Sequence, residues 1–225
     1  MTSLLVTGAN RGIGFHIAAS ALAKGWSVFG SVRTAAQAQE LETSLPGVTP
    51  LIFDVTDASA VRATAEAFDG PLDILINNAG IIGPERQSTL DMDFEGFART
   101  LEINTLGPLA VSQAFLPALR RAQSGRILSI SSQMSWMGYD KSDRIAYRAS
   151  KAALNKVMQG LAADLKPAGI SVCVIDPGWV ATDMGGSAAD NDPADVGAGV
   201  VALAAGLSLQ GTGRFYKWTG EERPF

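Results

Sequence analysis

Short apolar and β-branched runs alternate along the chain with longer segments whose apolar residues recur at helical spacing. The short runs predict strands at 3–7, 27–32, 49–53, 72–76, 126–131, 170–175 and 214–218. The longer segments predict helices at 13–24, 34–45, 58–68, 94–121, 147–166 and 193–207. This alternation is typical of βαβ units, which build a parallel sheet covered by helices on both faces. We therefore expect one doubly wound α/β domain over residues 1–225.

In three segments the apolar residues recur at neither helical nor strand spacing. These segments are 81–93, 133–146 and 179–191. The segment 133–146 follows the strand at 126–131 almost directly, and the other two follow the strands at 72–76 and 170–175 after short turns. Ligands of an open parallel sheet bind at the carboxyl ends of its strands. We therefore expect all three segments to border a binding cleft.

Composition and charge narrow the class of partner. The chain has 225 residues, of which 47% are hydrophobic, and it carries a formal net charge of -4 with no run of Lys or Arg. A nucleic-acid partner is not expected, because phosphate contacts need a basic patch. The uncharged stretch 196–209 is too short to span a membrane, and no signal peptide precedes the first strand. We expect no membrane association and a cytoplasmic location.

The single cysteine and the single histidine are predicted to be structural. Cys173 lies inside the apolar run 170–175, which is typical of a buried thiol, and it has no second cysteine with which to form a disulfide. His16 falls early in the first predicted helix. No metal site is expected.

A glycine turn follows the first predicted strand, with Gly8, Gly12 and Gly14 in the spacing Gly-x-x-x-Gly-x-Gly. Glycines let the backbone approach a pyrophosphate, and the N-terminus of the next helix presents free N–H groups to it. A tight strand-to-helix turn also needs glycine for structural reasons alone. Its position at the start of a βαβ unit favours a dinucleotide site.

Tyr147 and Lys151 are four positions apart in a predicted helix, so their side chains share one face. A nearby ammonium favours a phenolate, and we expect it to lower the pKa of Tyr147 by about one to three units, toward acid/base use. By itself such a pair is also typical of an ordinary amphipathic face.

Four motifs occur in a fixed order: Thr7 to Gly14, Asn77-Asn78-Ala79-Gly80, Tyr147 to Lys151, and Pro177-Gly178. Together they resemble the short-chain dehydrogenase/reductase family, and the segment 177–186 with the abbreviated C-terminus resembles its C-factor-like branch. The expected fold is a single-domain Rossmann-type doubly wound parallel sheet of about seven strands in the order 3-2-1-4-5-6-7. One domain would carry both the cofactor and the substrate site.

The resemblance implies catalytic roles for four residues. Ser132 would donate a hydrogen bond to the substrate oxygen, Tyr147 would transfer the proton, and Lys151 would bind the nicotinamide ribose. Asn104 would anchor a water molecule that relays protons to Lys151. Structural alternatives remain, because Ser132 also suits a strand end and Asn104 a helix kink.

The resemblance also implies a set of cofactor-binding residues. They are Gly8, Asn10, Arg11, Gly12, Ile13, Gly14, Arg33, Asp54, Val55, Asn78, Ala79, Gly80, Tyr147, Lys151, Pro177, Gly178, Val180 and Thr182. No acid stands at the end of the second strand, where NAD-dependent members place one. Arg11 and Arg33 suit a 2′-phosphate, so we expect NADP(H) in preference to NAD(H).

The separation of Ser132 and Tyr147, fifteen positions, is longer than the family pattern. Ser135 is therefore a weaker alternative for the serine role. Trp136, Met137 and Tyr139 are expected either to line the substrate side or to pack the loop.

The sequence thus predicts an enzyme that moves a hydride between NADP(H) and a small carbonyl or alcohol. A cofactor-binding signalling or sensor protein is the alternative. An epimerase or dehydratase of the extended branch is disfavoured, because the chain is too short for its substrate domain. A homodimer or homotetramer through the helices after Phe94 and Tyr147 is a further expectation.

Overall fold

The computed structural model describes residues 1–225 and contains ten strands. They are β1 (Ser3–Thr7), β2 (Ser27–Val32), β3 (Val48–Ile52), β4 (Ile74–Asn77), β5 (Gln87–Ser88), β6 (Asp91–Met92), β7 (Arg126–Ile130), β8 (Ser171–Asp176), β9 (Phe215–Lys217) and β10 (Glu222–Arg223). Eight of them form one sheet in the order β10-β9-β8-β7-β4-β1-β2-β3, and all its pairs are parallel except that of β9 with β10. The predicted order is confirmed.

The short strands β5, β6 and β10 were not predicted from the sequence. β10 adds an antiparallel edge to the sheet, and β5 and β6 form a small hairpin inside the segment predicted to be irregular. Strands of two residues show no alternation of apolar and polar positions, so no periodicity marks them.

Eight α-helices connect the strands. They are α1 (Gly12–Ala23), α2 (Ala35–Ser44), α3 (Ala58–Glu66), α4 (Phe94–Leu101), α5 (Gly107–Ala114), α6 (Leu116–Arg121), α7 (Ile145–Leu165) and α8 (Pro193–Gly206). The prediction of one helix over 94–121 was wrong. A π-helical turn, Glu102–Leu106, separates α4 from α5, and proline stands in the first turn of both α5 and α6. Because proline has no N–H group, it is tolerated in a helix's first turn but not in its interior.

Each face of the sheet has its own hydrophobic core. One core includes Ile17 of α1 and Val200 of α8, which pack on alternate residues of the central strands. The other includes Phe115 and Leu154 on the opposite face. Cys173 is 2% exposed in the first core, and burial raises the pKa of its thiol, as expected of a structural cysteine.

No helix combines the length and the apolar character that crossing a membrane requires. No group of three or more His, Cys, Asp or Glu side chains is arranged to hold a metal ion.

Candidate active site

A cleft of about 320 Å³ opens at the carboxyl ends of β1, β2, β4, β7 and β8. Ligand pockets typically occupy about 300–1,000 Å³. Most of the residues that the sequence analysis selected line it: Gly8, Asn10, Arg11, Gly12, Ile13, Arg33, Asp54, Val55, Asn78, Ala79, Gly80, Ser132, Tyr147, Lys151, Pro177, Gly178, Val180 and Thr182. Gly14 and Asn104 lie behind its wall.

The glycine turn is built by close backbone packing. Gly8 and Gly12 have φ angles of 68° and 54°, a conformation that glycine adopts without steric cost. A Cβ at Gly14 would lie 2.3 Å from the carbonyl oxygen of Gly8 and 2.5 Å from Nδ2 of Asn78. Gly14 therefore shapes the turn from behind, and it does not touch the cleft itself.

The N-terminus of α1 faces the cleft without a side-chain cap. No hydrogen bond from the side chain of Arg11 closes this end, and no acidic residue lies in the first turn. The first N–H groups of a helix are unpaired unless a cap or ligand accepts from them, and they carry the positive end of the helix dipole. This end of α1 fits the pyrophosphate of a dinucleotide, since glycine leaves the approach open.

The Asn78 motif fixes the turn to the neighbouring strand. Asn78 Nδ2 donates to the carbonyl oxygens of Thr7 and Gly8 at 2.9 and 3.2 Å. Thr7 Oγ1 accepts from the N–H groups of Asn78 and Ala79 at 2.9 and 3.0 Å. Two of the sequence motifs therefore act as one rigid unit, although about seventy residues separate them.

Arg33 and Asp54 lie together at the far end of the cleft from Tyr147. Burial raises the pKa of Asp54, but hydrogen bonds from Thr56 and the charges of Arg99 and Arg33 outweigh burial and lower it. The backbone N–H of Arg33 donates to Gln37, and its guanidinium has no carboxylate in salt-bridge contact.

Arg11 makes a contact that the sequence did not indicate. Its guanidinium bonds the carboxylate of Asp183 at 2.9 Å, across the mouth of the cleft. Both side chains are more than two-thirds exposed, at 68% and 76%, so the pair contributes little to stability.

Tyr147 lies in the first turn of α7, and its ring is buried beside the cleft. Burial raises the pKa of the phenol to about 12, the nearby Ser132 hydroxyl acts in the opposite direction, and the Asp176 carboxylate raises the pKa further. The expected lowering of this pKa by Lys151 is therefore wrong for the protein without a bound molecule. The phenol is held in its protonated form, which is the form that donates a proton.

Lys151 lies one helical turn after Tyr147, with its Nζ 5.7 Å from the centre of the phenol ring. Nζ donates to the carbonyl oxygen of Ile130 at 2.7 Å, and the residue is only 4% exposed. Burial lowers the pKa of its ammonium to about 8, since the charged form loses hydration there. Two of its N–H donors remain for other partners.

Asn104 occupies the middle of the π-helical turn and is fully buried. Its Nδ2 donates to the carbonyl oxygen of Ile81 and to Ser150 Oγ, while its Oδ1 accepts from the Ile81 N–H. Oδ1 and the Lys151 Nζ lie 3.1 and 3.6 Å from the position that a Cβ would take at Gly80. The amide thus ties the start of the 81–93 segment to α7, close to Lys151.

The loop 133–146 borders the cleft through Gln133, Met134 and Arg144, and its aromatic residues follow the second alternative, packing within the loop. Ser135 donates to the carbonyl oxygen of Ser132 at 2.6 Å and accepts from Asn155 at 2.8 Å, so its hydroxyl faces away from the cleft. Trp136 and Tyr139 stack edge to face on each other, and Met137 is 85% exposed. None of Ser135, Trp136, Met137 and Tyr139 lines the cleft.

The substrate end of the cleft is lined by other residues that the sequence analysis did not select. Most of these are apolar, and one is a cation: Ile81, Ile82, Met134, Arg144, Trp179 and Met184. Arg144 is the only non-glycine residue with a positive φ angle, 52°. Their position after the strand ends was the one signal that could have found them.

The chain resembles known proteins over most of its length. The model of the short chain dehydrogenase family matches residues 2–193. The C-signal of Myxococcus xanthus is 40% identical over 157 residues, covering 69% of this chain and 94% of that protein.

Solved structures resemble the whole chain. The NADPH-bound carbonyl reductase from chicken fatty liver superposes with a TM-score of 0.90 at 30% identity, covering 100% of this chain and 99% of that one. The carbonyl reductase Sniffer of D. melanogaster gives 0.92 at 29% identity, with 100% of both chains covered.

A Rossmann-type sheet with a buried Tyr and Lys at its carboxyl edge defines an oxidoreductase fold. The chain belongs to the short-chain dehydrogenase/reductase family, in its C-factor-like branch.

Proposed function

We propose that this protein reduces a small carbonyl compound with NADPH as the cofactor, and that Tyr147 is the proton donor. The observation that carries the proposal is that the buried side chains of Tyr147 and Lys151 line the cleft together with Ser132. Residues 1–225 would form one domain that carries both sites.

Ser132 and Tyr147 would have different roles in the reduction. The hydroxyls of Ser132 and Tyr147 would both donate to the carbonyl oxygen, which stabilises the negative charge that develops there. Tyr147 then transfers its proton to that oxygen to complete the alcohol. When bound, the reduced nicotinamide supplies the hydride that the carbonyl carbon receives.

Lys151 and Asn104 would support the phenol. The spare N–H donors of Lys151 would bind the nicotinamide ribose hydroxyls, and the ammonium would stabilise the phenolate left after proton transfer. Asn104 would hold the proton-relay water near Lys151, with its amide fixed by Ile81 and Ser150. Thr182, in the wall beside Gly12, would bind the carboxamide.

A preference for NADPH over NADH is supported by charge. Arg33 carries a guanidinium without a carboxylate partner beside Asp54, and a guanidinium pairs well with a phosphate. Arg11 contributes less than the sequence suggested, because it is paired with Asp183. The remaining cofactor-binding residues proposed from the sequence line the same cleft. Gly14 is the exception, because it lies behind the cleft wall and allows the close packing of the glycine turn.

The proposed substrate class follows from the residues that line the substrate end of the cleft. Ile81, Ile82, Met134 and Met184 present apolar surface beside Tyr147. Aldehydes and ketones with apolar substituents would lose water on entering this end, and their burial would be favourable.

A second candidate function is a cofactor-binding signalling protein. The 40% identity with the C-signal of Myxococcus xanthus favours it. Such a protein would bind NADPH in the same cleft, and turnover would be incidental.

The test is NADPH oxidation against a panel of aldehydes, ketones and quinones by the wild type and by Tyr147→Phe. Phenylalanine packs as tyrosine does but carries no proton, so turnover should fall by about 10²–10⁴-fold. The variant should still bind NADPH, as measured by fluorescence titration. Wild-type turnover in Tyr147→Phe would refute the role of Tyr147, and NADPH binding without turnover of any panel member would favour the signalling function.

A further inference from the structure

Asp176 is the last residue of β8 and is 2% exposed, directly beneath the active site. Its Oδ1 accepts from the backbone N–H of Gln133 and from that of Gly178, each at 3.0 Å. Gln133 follows Ser132, and both Gln133 and Gly178 line the cleft. One carboxylate therefore holds the backbone of two separate segments of the cleft wall.

The charge of Asp176 is balanced from the far edge of the sheet. The other oxygen, Oδ2, is paired with the guanidinium of Arg223 in β10. The side chain of Arg223 is only 17% exposed and lies over the ring of Phe215, 6.0 Å from its centre. Burying a carboxylate without a cation is very costly, so the position of Asp176 depends on Arg223.

We propose that Arg223 is a positioning residue for catalysis: through Asp176 it holds Ser132 and the Pro177-Gly178 turn on the two sides of the reacting atoms. The proposal deepens the proposed reductase function and rests on it. It assigns the hairpin of β9 and β10, which does not line the cleft, a role in the geometry of the site.

The same pair sets part of the charge that Tyr147 meets. The charged groups around the phenol are Asp176 at the end of β8, Arg144 before α7, and Lys151 on α7 itself. Burial is the main cause that raises the pKa of Tyr147; the nearby Ser132 hydroxyl opposes it, and the Asp176 carboxylate raises it further. Without Arg223, the negative charge of Asp176 would act on the phenol without a compensating cation.

Four variants separate positioning from packing. Arg223→Met keeps the aliphatic stem on Phe215 but removes the charge. Asp176→Asn keeps an oxygen that accepts from both N–H groups, and the double variant removes both charges together. Arg214→Met is the matched control, because Arg214 pairs with Glu222 on the same hairpin, half exposed and away from the site.

We expect kcat/KM of Arg223→Met to fall at least about tenfold, with NADPH affinity unchanged, and the double variant to recover most of the loss. Hydrogen exchange at the amides of Gln133 and Gly178 should accelerate in Arg223→Met, while the central amides of β8 and the Arg214→Met control stay as in the wild type. The exchange measurement needs neither cofactor nor substrate, so it tests the positioning even if the proposed reductase activity fails.

The pH profile of alcohol oxidation with NADP⁺ gives a readout that packing would not move. Oxidation requires the phenolate, so its acid limb reports the pKa of Tyr147 in the working complex. The acid limb of the profile should move to higher pH, by about one pH unit, in Arg223→Met, and to lower pH in Asp176→Asn. The proposal is overturned by unchanged exchange at both amides with wild-type kcat/KM in Arg223→Met. Equal losses in the single and double variants, with no shift of the limb, would also overturn it.

Discussion

The two ends of the cleft are built in different ways. At the nucleotide end, backbone groups and glycines form the wall: Asn78 hydrogen-bonds Thr7 and Gly8, and there is no room for a Cβ at Gly14. At the substrate end, the wall consists of side chains from three separate segments. The loop that follows Ser132 carries exposed aromatic and apolar residues that do not reach the cleft.

The two kinds of wall differ in how they respond to substitution. A wall made of backbone recognises a group that is the same in every reaction, and almost any added atom disturbs it. A wall made of side chains can change residue by residue without disturbing the fold. We therefore expect substitutions at the nucleotide end to affect folding and cofactor binding together, and substitutions at the substrate end to affect stability much less.

The largest effect is expected for Gly14→Ala. The added methyl would lie 2.3 Å from a backbone oxygen that cannot move without disturbing β1, so the free energy of unfolding should fall by about 3 kcal/mol or more. Urea denaturation and NADPH titration measure the two consequences. The matched control is Gly160→Ala in α7, where nothing lies within 4 Å and a gain of about 0.5–1 kcal/mol is expected. Equal stability of both variants would contradict the comparison.

A smaller effect on the free energy of unfolding is expected from the titration of Lys151, which lies where the two ends of the cleft meet. Its pKa is lowered from 10.5 to about 8 in the folded protein, so folding is disfavoured below pH 8 and this cost disappears as the pH rises toward 10.5. The stability of the wild type relative to Lys151→Met should therefore rise by about 2 to 3 kcal/mol between pH 7 and pH 10. Urea denaturation at the two pH values measures it, and a constant difference would show that Lys151 keeps its ordinary pKa.

A comparable change, in specificity only, is expected for Arg33→Asp at the nucleotide end. Losing the charged hydrogen bond should weaken NADPH use by roughly 10- to 150-fold, and the new carboxylate should repel a 2′-phosphate. The measurement is kcat/KM with NADPH and with NADH, and Arg120→Asp in α6 makes the same charge change far from the cleft. A wild type that prefers NADH, or a ratio unchanged in Arg33→Asp combined with Arg11→Ala, would refute the preference.

The smallest effect is expected for Arg144→Gly at the substrate end. Glycine removes the cost of the left-handed conformation, about 1–2 kcal/mol, but gains freedom in the unfolded chain worth about 0.5–1 kcal/mol. A net gain in stability of up to about 1 kcal/mol should appear as a higher urea midpoint. Arg144→Ala is the control, because it removes the side chain and keeps the strain. A gain of the same size in Arg144→Ala would assign the effect to the side chain.

Much of the fold could be predicted from the sequence, because its signals are local. Short apolar runs indicated the parallel strands, and the spacing of Gly8, Gly12 and Gly14 indicated the turn before α1. The order of the strands was implied by the family resemblance. The sequence left a helix kink at Asn104 open as an alternative but did not predict the break at Glu102–Leu106. At that break Asn104 bonds Ile81 and Ser150, which are distant in the sequence.

For the candidate site, the sequence determined which groups are present and which share a face. Tyr147 and Lys151 are four positions apart in a helix, and that spacing alone puts them side by side. The tertiary structure decided how these groups behave. Burial raises the pKa of Tyr147 and lowers that of Lys151, and the hairpin brings Arg223 to Asp176 across forty-seven positions. Solvation and charge depend on every neighbour in space, and a linear pattern specifies only the neighbours along the chain.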